Sequence, residues 1–310
     1  MVRARDVNGH FMLDRKHKRS HTVYMNKLPS AKRAEILGMM VEGVSLRAIS
    51  RMTGASKNTV AKLLEDAGEA FADYQDRTLR NLTCKRIQCD EIWAFCYAKA
   101  KNVATAKAAP EGAGDIWTWT AIDADSKLII SWNVGGRDAG YASVFMDDVA
   151  GRLATRVQLT TDGHKPYLQA VEGAFGAAVD FAQLVKLYGD APGPAGRYSP
   201  AECTGIKKNR IEGNPDPAHV STSYVERQNF TMRMGMRCFT RLTNGFSKKA
   251  ESHAHSVAIH TMHYNFVCIH QTLRCSPAMA ASVTTKLWEL ADMVRVLEEW
   301  EDRSRANSGA

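Results

Sequence analysis

The amino-acid sequence predicts an α/β protein with a mixed five-stranded sheet and flanking helices, preceded by an all-α segment. Two observations support this prediction. Between residues 30 and 82 the apolar residues recur at helical spacing, whereas from Lys85 onward the chain contains aromatic and β-branched runs that are typical of strands. Three such runs follow one another, and after them helices and strands alternate. That order indicates a mixed sheet with helices on its faces.

The composition is that of a globular protein with a basic excess. The chain has 310 residues, 45% of them hydrophobic, which is enough for a real core and suggests about two domains. Lys and Arg number 41 against 33 acids, and the net charge of +8 favours a polyanionic partner. The basic excess is strongest at the start of the chain. Residues 1–30 are therefore predicted to form a flexible arm that lies along phosphates.

Several classes of protein are disfavoured by the sequence. It contains no apolar run of membrane-spanning length, so no membrane span is predicted. The start of the chain lacks the apolar stretch and small-residue cleavage site of a signal peptide. The seven cysteines are odd in number and include no Cys-x-x-Cys pair, which indicates free thiols in a reducing compartment. We therefore expect a cytoplasmic protein.

Residues 31–82 are predicted to form a helix-turn-helix domain followed by a linker helix. One helix begins near Ser30, a second covers 46–52, and a third begins after Ser56, with a turn at Gly54 between the last two. The third helix would present polar or cationic side chains to base edges and phosphates of double-stranded DNA. These candidate DNA contacts are Ser56, Lys57, Asn58, Thr59 and Lys62. A small helical subdomain without a DNA role is the alternative.

Residues 83–280 are predicted to form the α/β domain. The expected strands are 86–97, 116–122, 127–134, 156–161 and 179–188. Helices are expected at 139–153 and 167–175, and another at 248–272. Residues 189–222 are rich in glycine and proline and are predicted to be a long loop, and residues 281–310 a C-terminal helix and tail.

A further helix is expected to begin at Ser223, after the long loop. Ser223 and Glu226 have the spacing of a capping box, in which Ser223 would be the N-cap. Glu226, Asn229 and Arg233 would share one face of this helix, and an acid, an amide and a guanidinium together suit a site that handles metal and phosphate.

Three acids stand out by position, although they lie far apart in the sequence. Asp90 is in the middle of an apolar strand, where an unpartnered acid is costly. Asp162 ends a strand, where open α/β sheets place their ligand sites. Glu226 is at the start of the last-mentioned helix. Hard divalent ions prefer carboxylate oxygens, and a pair of such ions can catalyse in-line phosphoryl transfer. The three acids are therefore the predicted metal ligands and catalytic residues.

The motifs around these acids resemble those of a known family. Cys-Asp-Glu-Ile-Trp around Asp90, Thr-Thr-Asp-Gly-His around Asp162 and Tyr-Val-Glu-Arg-Gln-Asn around Glu226 are similar to the DDE motif of bacterial insertion-sequence transposases, most of all the insertion sequence one family. The resemblance covers about residues 85–280 and the helix-turn-helix.

This resemblance implies an RNase H-like fold and two Mg²⁺ ions, for which Mn²⁺ can substitute. It further implies strand cleavage and joining at transposon ends by a homo-oligomer bound to element ends and target DNA, and hence association with the nucleoid. The chain differs from the family in having no zinc-binding cysteines before the helix-turn-helix and in the length of 189–222.

Further polar and charged residues lie close to the three acids in the sequence. His164 and Lys165 follow Asp162 and are candidate DNA contacts, as are Asn229 and Arg233. Glu91 should point to the opposite side of its strand from Asp90, as an exposed or supporting acid. The histidines between 253 and 270 are expected to belong to a packed helix, because no cysteine pair or acid completes a metal site with them.

Two other functions remain open from the sequence. One is a helix-turn-helix regulator whose RNase H-like domain is catalytically inert, which would bind DNA indifferently to divalent ions. The other is a metal nuclease that hydrolyses strands without joining them.

Overall fold

The computed structural model describes residues 27–189, 203–240 and 244–308. Most of the predicted basic arm therefore lies outside the described residues. The helices are α1 (Ser30–Val41), α2 (Leu46–Thr53), α3 (Lys57–Thr78), α4 (Ala139–Ala150), α5 (Pro166–Phe175), α6 (Ser223–Gly235), α7 (Ala250–Phe266), α8 (Pro277–Ala280) and α9 (Leu290–Ser308). The strands are β1 (Arg86–Cys96), β2 (Gly114–Asp123), β3 (Ile129–Gly135), β4 (Val157–Asp162), β5 (Val179–Tyr188) and β6 (Cys203–Glu212).

The described strands form one mixed sheet in the order β3-β2-β1-β4-β5-β6. β1, β4 and β5 are parallel to one another, and the other neighbours pair antiparallel. The prediction of five strands was wrong, because β6 occupies part of the segment predicted to be a loop. Most residues of β6 are exposed on both faces. Such a strand shows none of the apolar alternation by which strands are recognised in a sequence.

Helices cover both faces of the sheet. On one face, α4 and α5 bury Phe145 and Tyr167 against Trp119 of β2. On the other face, Met232 of α6 and Val257 of α7 pack in one cluster with alternate residues of β1 and β3. Side chains alternate along a strand, so Asp90 belongs to the α6 face and Glu91, which pairs with Trp119, to the α5 face.

Of the three N-terminal helices, α1 and α3 pack against α7, and α2 packs against α1 and α3. Ser45 and Ser56 cap α2 and α3 with their side chains, and Gly54 between them takes a left-handed conformation with φ +73°. α3 continues without a break through most of the predicted linker. It lies along α7, where Gln75 Nε2 donates a hydrogen bond to the carbonyl oxygen of Ala258 at 3.2 Å. The domain boundaries and the DNA-binding role of these helices stay predictions.

The C-terminal helix closes this helical layer. Arg33 of α1 is buried and pairs with Glu301 of α9 at 3.0 Å. The Trp288 ring, just before α9, packs on Phe266 of α7 with ring centroids 4.7 Å apart. Among the helices in the described part of the chain, none combines the length and the hydrophobicity needed to cross a membrane.

Candidate functional site

A cleft of about 840 Å³ opens where β4 ends, between β5 and the first turns of α6. Its charged side chains come from β1, β4, β5, α6 and two loops. They are Asp90, Glu91, Arg137, Asp162, Lys165, Lys186, Glu226 and Arg233. The three acids singled out in the sequence therefore line one cavity.

Asp90 and Asp162 are brought side by side by the parallel pairing of β1 and β4. Cys89 pairs with Thr161, so the next residue on each strand occupies the same level of the sheet. Asp162 is the last residue of β4, whereas β1 continues to Cys96. The end of a central strand next to a longer one leaves a gap in the sheet, and both carboxylates point into the cleft that forms there.

The carboxyl group of Asp90 is crowded by burial and by other acids. Burial, followed by the charges of Glu91 and Asp162, raises the pKa of Asp90 to about 7. Its oxygen Oδ2 accepts a hydrogen bond from Asn229 Nδ2 at 2.8 Å. Asn229, expected to contact DNA, is itself buried, and its Oδ1 has no hydrogen-bond partner among the described residues.

Glu91 belongs to the acidic cluster. Its backbone faces the α5 side, as strand alternation predicts, yet its carboxylate lies within 4.8 Å of those of Asp90 and Asp162. The side chain can reach them because β4 ends at Asp162 and no strand separates the two faces beyond that point. Glu91 is buried and not exposed, and the Tyr167 hydroxyl donates to its Oε2 at 3.1 Å. Burial and the charge of Asp162 raise the pKa of Glu91.

Arg137, in the loop between β3 and α4, neutralises part of this cluster. Its Nε and Nη2 atoms each lie 2.6 Å from Glu91 Oε1, and Nη2 lies 3.9 Å from Asp162 Oδ2. The guanidinium group is held over the Trp117 ring, 4.4 Å from the ring centroid. No sequence pattern identifies Arg137, because a single arginine in a loop has no periodicity.

Glu226 lines the same cleft but does not belong to the cluster of three acids. Its Oε2 accepts a hydrogen bond from Lys186 Nζ at 2.6 Å, and its Oε1 accepts one from the Thr222 hydroxyl at 2.5 Å. The predicted capping box is wrong, because α6 has Thr222 as N-cap residue and no side-chain cap. The charge of Glu226 still contributes to the raised pKa of Asp90.

The predicted DNA contacts near the acids occupy different environments. Lys165 and Arg233 are exposed at the cleft. His164 is half-buried, with its ring centroid 5.9 Å from the ring centroids of both Trp119 and Tyr167. Burial, and then the charge of Arg137, lowers the pKa of His164, and its Nε2 is buried without a hydrogen-bond partner in the described structure.

The predicted recognition residues at the start of α3 divide into two groups. Lys57 and Asn58 are exposed. Ser56 and Thr59 take part in the cap of the helix, where Ser56 Oγ accepts a hydrogen bond from the Thr59 backbone N–H at 3.1 Å. Lys62 forms an ion pair with Asp66 one turn later. Lys57 and Asn58 are therefore the side chains of this set that can contact a ligand without first losing one of these internal contacts.

The acidic cluster fits a divalent cation. Asp90, Glu91 and Asp162 are the one group of three potential metal ligands found within reach of each other in residues 27–189, 203–240 and 244–308. Their carboxylate oxygens are the ligands that hard divalent ions prefer, and such an ion would offset the repulsion between carboxylates that contributes to the raised pKa values of Asp90 and Glu91. In contrast, His253 of α7 is buried between Thr118 and Ser247, as part of the helix packing.

No family model and no curated protein matches the chain. Seven chains of solved structures do match. One is a cryo-EM structure of a piggyBac transposase synaptic complex with hairpin DNA, to which this chain is similar with 10% identity and a TM-score of 0.38, over 92% of this chain and 73% of that chain. A likeness at this level supports no conclusion about the fold or activity of the present chain.

Proposed function

We propose that this protein is a DDE-type DNA transposase, which cleaves and joins DNA strands at the ends of an insertion sequence resembling the insertion sequence one family. The observation that carries the proposal is that Asp90, Asp162 and Glu226, which are distant in the sequence, line one cleft. Three carboxylates around one cavity suit the binding of phosphate-bridging cations, and the cationic side chains beside them suit the phosphates themselves.

Asp90, Asp162 and Glu226 would hold two Mg²⁺ ions, for which Mn²⁺ can substitute. When bound, these ions polarise the attacking hydroxyl group and stabilise the leaving oxygen of a phosphodiester. The residues of the chain orient the carboxylates. Asn229 orients Asp90 and the Thr222 hydroxyl orients Glu226, whereas Lys186 pairs with Glu226 and would compete with an ion for its carboxylate. Glu91 is the acid beside this set, paired with Arg137.

Positive charge around the acids provides the substrate contacts in this proposal. Arg233 and Lys165 border the cleft with exposed side chains and would contact the phosphates that flank the bond to be cleaved. The α2–α3 pair would bind the double-stranded ends of the element through Lys57 and Asn58. The protein would act as a homo-oligomer that brings two ends and the target DNA together in the nucleoid.

A strand-transfer assay with Mg²⁺ and labelled element ends tests the proposal. Asp90→Asn and Glu226→Gln should each reduce joined product at least about 100-fold, since loss of a ligand exceeds the effect of losing a group that only orients one. Asp147→Asn is the matched control, because Asp147 is an exposed acid on α4 that does not line the cleft. Full activity of either cleft variant would exclude the assignment.

The same assay distinguishes a transposase from an inert regulator and from a nuclease. A catalytically inert regulator would bind element ends with equal affinity in Mg²⁺ and in chelator and would yield neither cleaved nor joined product. A nuclease would yield cleaved product alone. Joined product that depends on the three acids is expected only of a transposase.

A further inference from the structure

The outward side of α6 carries large apolar side chains that are exposed to solvent. Tyr224, Phe230 and Met234 expose 42%, 48% and 73% of their surface. Together with Arg227 they recur at intervals of three and four residues, which places them on one stripe of the helix. We call these four residues the α6 stripe. Contiguous apolar side chains in solvent are unusual in a monomeric protein and often mark a binding surface.

Arginine and aromatic rings alternate in the α6 stripe. The Arg227 guanidinium carbon lies 5.5 Å from the Phe230 ring centroid. The ring of Tyr224 already carries the Lys127 ammonium group, 3.2 Å from its centroid. Phe230 is therefore the aromatic ring of the stripe with the more open surface, and it has a cation beside it.

The charge of α6 favours a polyanionic occupant over an apolar protein surface. The helix contains one acid, Glu226, which lines the cleft, and its two arginines are exposed. An arginine next to an exposed aromatic ring is the combination that holds single-stranded nucleic acid, because the ring stacks on a base while the cation meets the phosphate. Duplex DNA buries its base faces in its own stack and cannot use the ring in this way.

The α6 stripe is continuous with the cleft. Glu226 and Asn229 line the cleft from one side of α6, and Arg233 borders it, while Arg227 and Phe230 face outward one residue away from them. Phe230 follows Glu226 by about one helical turn, so a strand that leaves the cleft next to Glu226 would pass the α6 stripe.

We propose that the α6 stripe binds single-stranded DNA next to the phosphate held in the cleft, with Phe230 stacking on an unpaired base and Arg227 contacting its phosphate. The inference rests on the proposed function for its choice of DNA, and it adds a substrate class. The preferred substrate is an end whose terminal bases are unpaired, and not a fully paired duplex.

Binding measurements in chelator test this without requiring catalysis. The probes are one DNA duplex with a short single-stranded extension and the same duplex with blunt ends. Phe230→Ala should weaken binding of the extended duplex by about fivefold to 100-fold, the effect of one stacked base, and leave the blunt duplex unchanged. Phe230→Trp should retain the preference for the extended duplex. Leu168→Ala is the matched control, since Leu168 is an exposed apolar residue on α5.

A spectroscopic readout identifies stacking directly. A 2-aminopurine base in the extension should lose fluorescence on binding to the wild-type protein and to Phe230→Trp, and regain it with Phe230→Ala. Arg227→Gln should reduce the salt dependence of binding to the extended duplex by about one ion, because one phosphate contact is lost. Urea unfolding of each variant shows that it is folded.

Three outcomes would overturn the inference. Phe230→Ala could weaken binding to the extended and the blunt duplex equally, or it could weaken binding to neither. Alternatively, it could change the mass of the free protein in light scattering, which would make the stripe a contact between copies of this chain. Failure of the proposed function is distinct, because it would appear as absent Mg²⁺-dependent strand transfer while the preference for the extended duplex in chelator persists.

Discussion

Lys186 Nζ lies 2.6 Å from Glu226 Oε2. This contact joins β5 to α6 across the cleft, and with the Thr222 hydroxyl it engages both carboxylate oxygens of Glu226. Glu226 is thereby held apart from the cluster formed by Asp90, Glu91 and Asp162. A cation bound by Glu226 would therefore compete with the Lys186 ammonium group for Oε2.

Lys186→Met should therefore increase the affinity for Mn²⁺. The pair is about one-third exposed, so its net stabilisation is below about 1 kcal/mol and the expected gain is about twofold to fivefold. Titration followed by electron paramagnetic resonance measures it. Lys165→Met removes a positive charge from the same cleft and is the control. An equal gain in both variants would show that general charge, and not the bond to Glu226, limits binding.

Arg137→Gln should destabilise the protein because it leaves Glu91 buried without its cation. The side chain of Glu91 has 0% exposure and that of Arg137 has 38%, so the expected loss in unfolding free energy is about 1–3 kcal/mol. Adding Glu91→Gln should recover part of this loss, since no uncompensated charge remains. Urea denaturation measures both effects.

The control for Arg137→Gln is Arg86→Gln, which breaks an ion pair with Asp125 at the surface. Arg86→Gln should cost less than about 1 kcal/mol, because both partners are partly exposed. The interpretation of Glu91 as a buried, charge-dependent group is wrong if the double variant of Glu91 and Arg137 is less stable than Arg137→Gln.

The stability of the protein should depend on pH through Asp90. Burial, then the charges of Glu91 and Asp162, raises its pKa from 3.8 to about 7. The folded protein therefore holds this proton more tightly than the unfolded chain. The resulting stabilisation is complete below about pH 4 and is lost as the pH rises through 7.

Asp90→Asn removes this titration. In chelator, the variant should have a higher free energy of unfolding than the wild type at about pH 8, and the difference should shrink steadily towards about pH 4. Asp147→Asn, at an exposed position on α4, should show no such trend. A difference that is constant with pH would contradict the raised pKa.

The parts of the fold that the sequence could predict are those with a buried face. β1 to β5 carry apolar residues towards the helices, and the predicted segments overlap the observed strands closely. β6 has no buried face and was predicted to be a loop for that reason. The placement of Asp90 in an apolar strand and of Asp162 at a strand end was enough to select both acids.

The remaining contacts of the site depend on where neighbouring strands end. Strand alternation assigned Glu91 to the correct face, but its approach to Asp162 follows from the length of β4, which local periodicity does not reveal. Arg137 lies in a loop, and Lys186 lies in the part of β5 that extends beyond the end of β4. Each is brought next to its acid only by the tertiary fold. The ion pairs of the cleft and the place of Glu91 in its acidic cluster were therefore missed, whereas Asp90, Asp162 and Glu226 were predicted to share one site and do line one cleft.

The start of α3 contains both a helix cap and a predicted DNA contact, and substitutions at Ser56 and Lys57 should separate the two roles. Ser56 Oγ accepts the Thr59 N–H, so Ser56→Ala should lower the free energy of unfolding by about 1 kcal/mol. Lys57 is exposed, so Lys57→Ala should leave stability unchanged. It should instead weaken binding to duplex DNA and reduce the salt dependence of that binding by about one ion.

Chemical denaturation and salt titration of binding give the two readouts for both variants. Lys101→Ala serves as the control, because Lys101 is an exposed lysine in the segment between β1 and β2. Lys101→Ala lowers the net charge by the same amount as Lys57→Ala. If it changes the salt dependence of DNA binding less than Lys57→Ala does, the phosphate contact belongs to α3 and is not an effect of overall charge. Equal salt effects, or a loss of stability in Lys57→Ala, would contradict the assignment of α3 as the recognition helix.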